Sequence, residues 1–197
     1  MSILTNCVGI VLAGGLSSRM GKDKSCLALN GKTFLQRSYE TLYSALGKHV
    51  YISGNHKRYR CLVDKYPKSG PASAILGISN HLLDKGYEKA VIVPVDMPYI
   101  EKSTIIKGFE HLAELDTKSV IFNNYFLPCW LDIKSLNQVN TTIKSSQNIS
   151  MKKLLFGNME CISVQSKNIS AKTFINVNTP DDFSMLSGEK TNEFKTL

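Results

Sequence analysis

Apolar positions along the chain alternate between short continuous runs and longer segments with helical spacing. The runs at 7–12 and 90–95 are rich in Val and Ile, which is typical of strands covered on both faces of a sheet. From Gly31 to Leu46, and again after Gly70-Pro71, apolar residues recur every three or four positions and predict amphipathic helices. Further strands are predicted over His49–Ser53, Cys61–Asp64, Ser119–Phe122, Cys129–Ile133 and Cys161–Val164.

More helical segments complete the pattern. Ser103 is a candidate N-cap for a helix, and short helices are predicted over 136–143 and 151–156. Near the end of the chain, Thr179 and Pro180 are residues that favour a helix start. This alternation of strand and helix predicts an α/β domain with a mostly parallel sheet, whose ligand lies beyond the carboxyl ends of the strands.

Length and composition fit an ordinary globular protein. The chain has 197 residues, of which 43% are hydrophobic and 20% charged, and we expect one domain over 1–187 with a frayed tail over 188–197. No apolar run reaches the length of a membrane span, and the first residues lack the features of a secretory signal. The five cysteines are widely spaced without a C-x-x-C pair, which predicts reduced thiols in a cytoplasmic protein.

The net charge of +8 raises the question of an anionic partner. The 24 basic residues are scattered along the chain, without a basic run or interleaved aromatic residues. This distribution favours an electropositive cleft for phosphorylated small molecules over nucleic-acid or membrane binding.

The strand at 7–12 runs into a glycine-rich basic loop that ends at Lys24. Gly14 and Gly15 allow the backbone to approach a ligand closely, so that successive N–H groups can point at an anion. Arg19 and Lys24 bring positive charge to the same place. The loop is therefore a candidate phosphate-binding site.

Two well-known phosphate loops do not fit this spacing. A P-loop has four residues between its glycines and a hydroxyl residue after its lysine, but here five residues separate Gly15 from Gly21, and Asp23 follows Lys22. The adjacent glycines also differ from the G-x-G-x-x-G fingerprint of dinucleotide-binding proteins.

The order L-A-G-G-x-S-x-R-M-G-x-D-K over residues 12–24 resembles the signature loop of the nucleotidyltransferases, and most closely that of the molybdenum cofactor guanylyltransferase family. Asp96 lies in a segment that resembles the family's strand-end D-x-P, and 174–182 resembles its closing N-V-N-T-P motif. Two segments depart from the family pattern: the residues after Gly70-Pro71 differ, and Leu127-Pro128 stands where His-Pro is usual. The resemblance implies a single-domain, Rossmann-like three-layer α/β fold of the nucleotidyltransferase type.

The activity that this resemblance implies is transfer of GMP from GTP to the phosphate of molybdopterin, with Mg²⁺ as cofactor and pyrophosphate as leaving group. The product is the guanine dinucleotide form of the molybdenum cofactor. Proteins that deliver molybdopterin, or molybdoenzyme-specific proteins, are candidate partners.

Site residues follow from the same resemblance. Lys24 and Arg19 are the catalytic candidates that neutralise phosphate charge, and Asp96 is the candidate catalytic Mg²⁺ ligand. Asn176 and Asn178 are candidates on the acceptor side. The nucleotide-binding candidates are Leu12, Ala13, Gly14, Gly15, Lys24, Ser53, Asn55, Asp64 and Asp96.

Several alternatives stay open from the sequence alone. The same chemistry with another base or acceptor would give a molybdopterin cytidylyltransferase or a sugar-phosphate nucleotidyltransferase. A protein that only binds nucleotide or cofactor, as a sensor or carrier, would use the same loop without turnover. The order Asn176-Val177-Asn178-Thr179-Pro180 favours guanine and pterin.

Overall fold

The computed structural model of the chain describes residues 3–14, 23–63, 65, 66, 69–143 and 149–187. Its strands are β1 (Cys7–Leu12), β2 (Ala28–Leu29), β3 (Lys32–Thr33), β4 (Val50–Ser53), β5 (Cys61–Leu62), β6 (Lys89–Pro94), β7 (Ser119–Phe122), β8 (Tyr125–Asp132) and β9 (Cys161–Val164). Its α-helices are α1 (Phe34–Leu46), α2 (Gly70–Asp84), α3 (Lys102–Glu114), α4 (Ile133–Thr142) and α5 (Pro180–Ser187). Short 3₁₀ turns cover Lys24–Cys26 and Ala171–Phe174, and a π-helical segment covers Lys153–Asn158.

The main sheet has the strand order β5-β4-β1-β6-β8-β7-β9, and β2 pairs with β3 in a separate hairpin. β1 pairs in parallel with both β4 and β6, so that Leu12 lies opposite Ser53 on one side and Pro94 on the other. β8 runs antiparallel to both of its neighbours, while β7 and β9 are parallel to each other. The predicted mostly parallel sheet is confirmed, and the carboxyl ends of β1, β4 and β6 meet at one edge.

Helices cover both faces of the sheet because side chains alternate along each strand. In β1, Cys7 and Val11 belong to the core formed with α1, α3 and α5, whereas Val8 and Ile10 belong to the core formed with α2 and α4. The predicted three-layer α/β fold is therefore confirmed. None of the helices within the described ranges combines the length and apolar character that a membrane span requires.

The helix predicted from Gly31 begins later, at Phe34, so this boundary was wrong. Asn30 and Gly31 both have positive φ, 52° and 74°, and form the turn of the β2–β3 hairpin. An Asn-Gly pair favours such a two-residue turn. Thr33 then caps α1, because its hydroxyl oxygen accepts a hydrogen bond from the Gln36 N–H at 3.1 Å.

The predicted cap at Ser103 was also wrong. α3 begins at Lys102, with Glu101 in the cap position, so Ser103 already lies in the first helical turn. There its hydroxyl donates a hydrogen bond to the Glu101 carboxylate at 3.2 Å.

The strand predicted over Cys129–Ile133 starts earlier, at Tyr125, and ends at Asp132. Asp132 ends the strand because its carboxylate accepts the Ser135 N–H at 2.7 Å and caps α4. α4 therefore begins three residues before the predicted Leu136.

The other predicted boundaries agree more closely. β7 and β9 have the predicted ranges, and the helix predicted over 151–156 is present, mainly as the π-helical segment. Thr179 caps α5 as predicted, since its hydroxyl accepts the Asp182 N–H at 3.2 Å. β5 ends at Leu62, and the predicted tail over 188–197 lies outside the described residues.

Gly108 on α3 packs directly against the ring of Trp130 on β8. Trp130 is fully buried, and its indole N–H donates to the Ile105 carbonyl oxygen at 3.0 Å. A Cβ atom added at Gly108 would lie 2.0 Å from Trp130 Cε2, which is far inside van der Waals contact. The absence of a side chain at Gly108 therefore sets how closely α3 approaches the sheet.

We expect Gly108→Ala to lower the free energy of unfolding by about 1–3 kcal/mol or more, because the added methyl group overpacks the core. Denaturant unfolding measures this change. Gly157→Ala is the matched control, since among the described residues its Cβ would meet only Lys153 Cγ, at 3.7 Å, an ordinary contact. Equal stability of the two variants would contradict the packing argument.

Candidate active site

The carboxyl ends of β1 and β6 open into a cleft of about 240 Å³. Several predicted site residues line it: Leu12, Ala13, Gly14, Lys24, Asp96 and Asn176. Other lining residues were not predicted as site residues: Asp23, Pro71, Pro94, Val95 and Leu127. The predicted residues Gly15, Arg19 and Asp64 lie outside the described residues.

The end of β1 and the residue after it are held in place by hydrogen bonds to the chain at the ends of β4 and β6. The Ala13 N–H donates to the Ser53 carbonyl at 3.2 Å, and the Val95 N–H donates to the Leu12 carbonyl at 3.1 Å. Among the described residues, a Cβ atom at Gly14 would meet only the Ser53 carbonyl oxygen, at 3.7 Å. Because Gly14 also lines the cleft, a ligand there could approach its backbone without meeting another described side chain.

The two residues predicted at the exit of β4 have different surroundings. The Ser53 side chain is buried, with 2% exposure, and the residue supports the loop through its backbone oxygen. Asn55 is exposed and is not among the residues that line the cleft. Their roles in nucleotide binding stay predictions.

Lys24 and Asp96, which are 72 residues apart in sequence, form an ion pair in the cleft. Lys24 Nζ lies 2.7 Å from Asp96 Oδ2, and the two side chains are 16% and 15% exposed. The same ammonium donates to Asn178 Oδ1 at 2.6 Å. The structure therefore brings together a candidate for the nucleotide, one for the metal and one for the acceptor.

Asp96 has an oxygen atom suited to a further positive ligand. Its Oδ1 atom is buried and has no hydrogen-bond partner among the described residues. Within those residues, no group of three or more His, Cys, Asp or Glu side chains could hold a metal ion. A single carboxylate fits Mg²⁺, which takes few protein ligands and completes its octahedral shell with phosphate oxygens and water.

The segment that precedes α5 is fixed beside Asp96 by backbone hydrogen bonds. The Val177 N–H donates to the Asp96 carbonyl at 2.9 Å. The Asp182 carboxylate accepts the N–H groups of Asn178 and Thr179 at 2.8 and 2.9 Å. The hydrogen bond from the Asn178 backbone lowers the pKa of Asp182 below its ordinary value, and the Thr179 hydrogen bonds and nearby Lys24 act in the same direction.

Two cleft residues outside the set of candidate site residues have clear local roles. Asp23 starts the 3₁₀ turn that presents Lys24, because its Oδ1 accepts the Ser25 N–H at 2.9 Å. The Asp-x-Ser pattern of a short cap was the available signal. Leu127, noted above as a departure from the family pattern, lies on β8 and adds apolar surface to the cleft.

Comparison with known proteins connects this geometry to a family. The family model described as MobA-like NTP transferase domain matches residues 9–131. A molybdenum cofactor guanylyltransferase of Xanthomonas euvesicatoria pv. vesicatoria (strain 85-10) is 31% identical over 191 residues, covering 96% of this chain and 98% of that protein. The chain belongs to the MobA-like NTP transferase family.

A second relative and a solved structure agree with this assignment. A probable molybdenum cofactor guanylyltransferase of Bacillus cereus (strain AH187) is 26% identical and is matched over 96% of this chain and 100% of its own length. The crystal structure of molybdopterin-guanine dinucleotide biosynthesis protein A from Archaeoglobus fulgidus superposes with a TM-score of 0.74 at 16% identity, covering 91% of this chain and 96% of that one. At this identity the structural match shows the fold alone.

The segment matched by the MobA-like family model contains only part of the site. It includes Lys24 and Asp96 but ends at residue 131, within β8. Asn176 and Asn178 lie beyond it and reach the cleft through the segment before α5. The match over nearly the full length of the Xanthomonas protein covers both parts.

We expect Asp182→Ala to lower the melting temperature at neutral pH, because it removes the carboxylate that accepts two backbone N–H groups. The pKa of Asp182 is lower in the folded state, so its stabilisation is present above the unfolded pKa, about 3.9, and is lost as the pH falls through the folded pKa. The difference in melting temperature between the wild type and Asp182→Ala should therefore become smaller below about pH 4. Asp181→Ala, an exposed neighbour in the same turn, is the control, and a difference that persists at about pH 2 would contradict the assignment.

Proposed function

We propose that the chain transfers GMP from GTP to the phosphate of molybdopterin and releases pyrophosphate, forming the guanine dinucleotide form of the molybdenum cofactor. The observation that carries the proposal is the Lys24–Asp96 pair in the cleft of a MobA-like fold. Relatives over the whole chain length that are named molybdenum cofactor guanylyltransferase support the choice of base and acceptor.

The reaction needs positioning and charge neutralisation more than covalent chemistry by the protein. An oxygen of the acceptor phosphate attacks the α-phosphorus of GTP, and the bond from that phosphorus to the bridging oxygen of the β-phosphate breaks. The acceptor phosphate is already ionised at neutral pH, so no general base is required. Negative charge grows on the departing pyrophosphate.

Each candidate residue has a role in this scheme. Lys24 contacts the triphosphate as a point charge, and Arg19 binds phosphate oxygens with its planar guanidinium. Asp96 would hold Mg²⁺, which neutralises phosphate charge when bound. The open backbone at Gly14 accommodates the nucleotide, with Ser53, Asn55 and Asp64 as candidates near the ribose or base.

Asn176 lines the cleft on the side of the segment before α5, where the acceptor would enter. We place molybdopterin there, with Asn176 as its contact in the cleft; Asn178, the other sequence candidate for the acceptor, accepts a hydrogen bond from Lys24. The pattern of scattered cysteines supports action in the cytoplasm. Proteins that deliver molybdopterin or receive the product remain candidate partners.

Nucleotide specificity can be tested by thermal unfolding with Mg²⁺ and equal concentrations of GTP, CTP, ATP or UTP. Binding to the folded state stabilises by RT ln(1 + [L]/Kd), about 2.7 kcal/mol at a hundredfold excess over Kd. We expect the largest rise in melting temperature with GTP. A shift that is largest with CTP would indicate a cytidylyltransferase, and no shift with any nucleotide would contradict nucleotide binding altogether.

Turnover distinguishes an enzyme from a carrier. We expect Asp96→Asn and Lys24→Met each to lower the rate of acceptor-dependent pyrophosphate release by about 10²–10³-fold, the loss typical of removing one transition-state electrostatic contact. Lys32→Met is the matched control, because the Lys32–Glu40 pair has the same 2.7 Å distance but is 50% and 44% exposed. Undiminished pyrophosphate release by both site variants would contradict the mechanism.

A further inference from the structure

Two of the oxygen atoms that hold Lys24 come from distant parts of the chain. Its ammonium lies 2.7 Å from Asp96 Oδ2 and 2.6 Å from Asn178 Oδ1. A lysine side chain has a flexible stem and about 2 kcal/mol of rotamer entropy, so it needs fixed acceptors to occupy one position. One of these acceptors is Asn178 Oδ1, which belongs to a residue 154 positions after Lys24 in the sequence.

Asn178 is itself fixed independently of Lys24. Its backbone N–H donates to Asp182 Oδ2 at 2.8 Å, as part of the cap of α5. The preceding residue, Val177, is fully buried and donates to the Asp96 carbonyl at 2.9 Å. The backbone that carries the Asn178 side chain is thus anchored within the segment that packs beside Asp96.

The neutral amide suits this position better than a second carboxylate. Hydrogen bonding to Asn178 orients the ammonium while leaving its full positive charge for the triphosphate. A cation on Asp96 Oδ1 would lie close to the ammonium on Oδ2 and repel it, so Asp96 would hold Lys24 less firmly once that cation is bound.

We propose that Asn178 is a positioning residue for Lys24, and that it acts on the nucleotide through that lysine. The inference rests on the proposed role of Lys24 at the triphosphate. It assigns the amide oxygen of Asn178 to the part of the site that binds GTP. If Asn178 instead contacted the acceptor, it would affect binding of molybdopterin and not binding of GTP.

A double-mutant cycle on GTP affinity tests this assignment. GTP binding is measured by calorimetry with Mg²⁺ and without acceptor for the wild type, Asn178→Leu, Lys24→Met and the double variant. In the wild-type background we expect Asn178→Leu to weaken GTP binding about tenfold, as for one lost hydrogen bond to a charged group. In the Lys24→Met background the same change should have almost no effect, because contacting residues are not additive.

Controls separate positioning from loss of fold. Asn80→Leu makes the same substitution at an exposed site on α2 and should leave GTP affinity unchanged. Thermal unfolding checks each variant, and Asn178→Ala replaces Asn178→Leu in the cycle if the larger side chain prevents folding.

Two outcomes would count against the proposal, and a third would count against the proposed function on which it rests. An unchanged GTP affinity in Asn178→Leu, with only the acceptor KM raised, would make Asn178 an acceptor contact. A tenfold loss of equal size in both backgrounds would show that Asn178 acts without Lys24. Failure of the wild type to bind GTP at all would instead overturn the proposed function on which the inference rests.

Discussion

The partly buried ion pair between Lys24 and Asp96 is the interaction on which the arrangement of the site depends. Both side chains are about 15% exposed, so each charge has lost most of its water and needs a partner. The pair joins the 3₁₀ turn after the glycine loop to the end of β6, and Asn178 adds the segment before α5. Three segments that are distant from one another in sequence are thereby fixed around one ammonium group.

The sheet topology determines which strands form each wall of the cleft. Parallel pairing of β1 with β4 and β6 brings the glycine loop and Asp96 to one edge, as α/β folds generally do for their ligands. The antiparallel strand β8, inserted beside β6, carries Leu127 to the same cleft from the other side. The wall with the start of the glycine loop and Asp96 is therefore built from parallel strands, and the wall with Leu127 from the antiparallel one.

Much of this arrangement was predictable from sequence because it follows from local patterns. Continuous β-branched runs predicted the buried strands, and both Lys24 and Asp96 follow such runs, so their convergence at the carboxyl edge was expected. The direction of β8 was not predictable, because strand order and pairing depend on contacts remote in sequence. The Asn30-Gly31 turn was missed since helical spacing of the following apolar residues appeared to include it.

The contact between Lys24 and Asn178 also limits how early the site can form during synthesis of the chain. Because 154 residues separate its two members, the amino-terminal strands emerge during synthesis long before the segment that contributes Asn178. A nascent chain with the first part of its sheet formed still lacks one wall of the cleft. Closing a contact between such distant residues costs loop entropy, and this wall of the cleft can form only after the chain has been synthesised as far as Asn178.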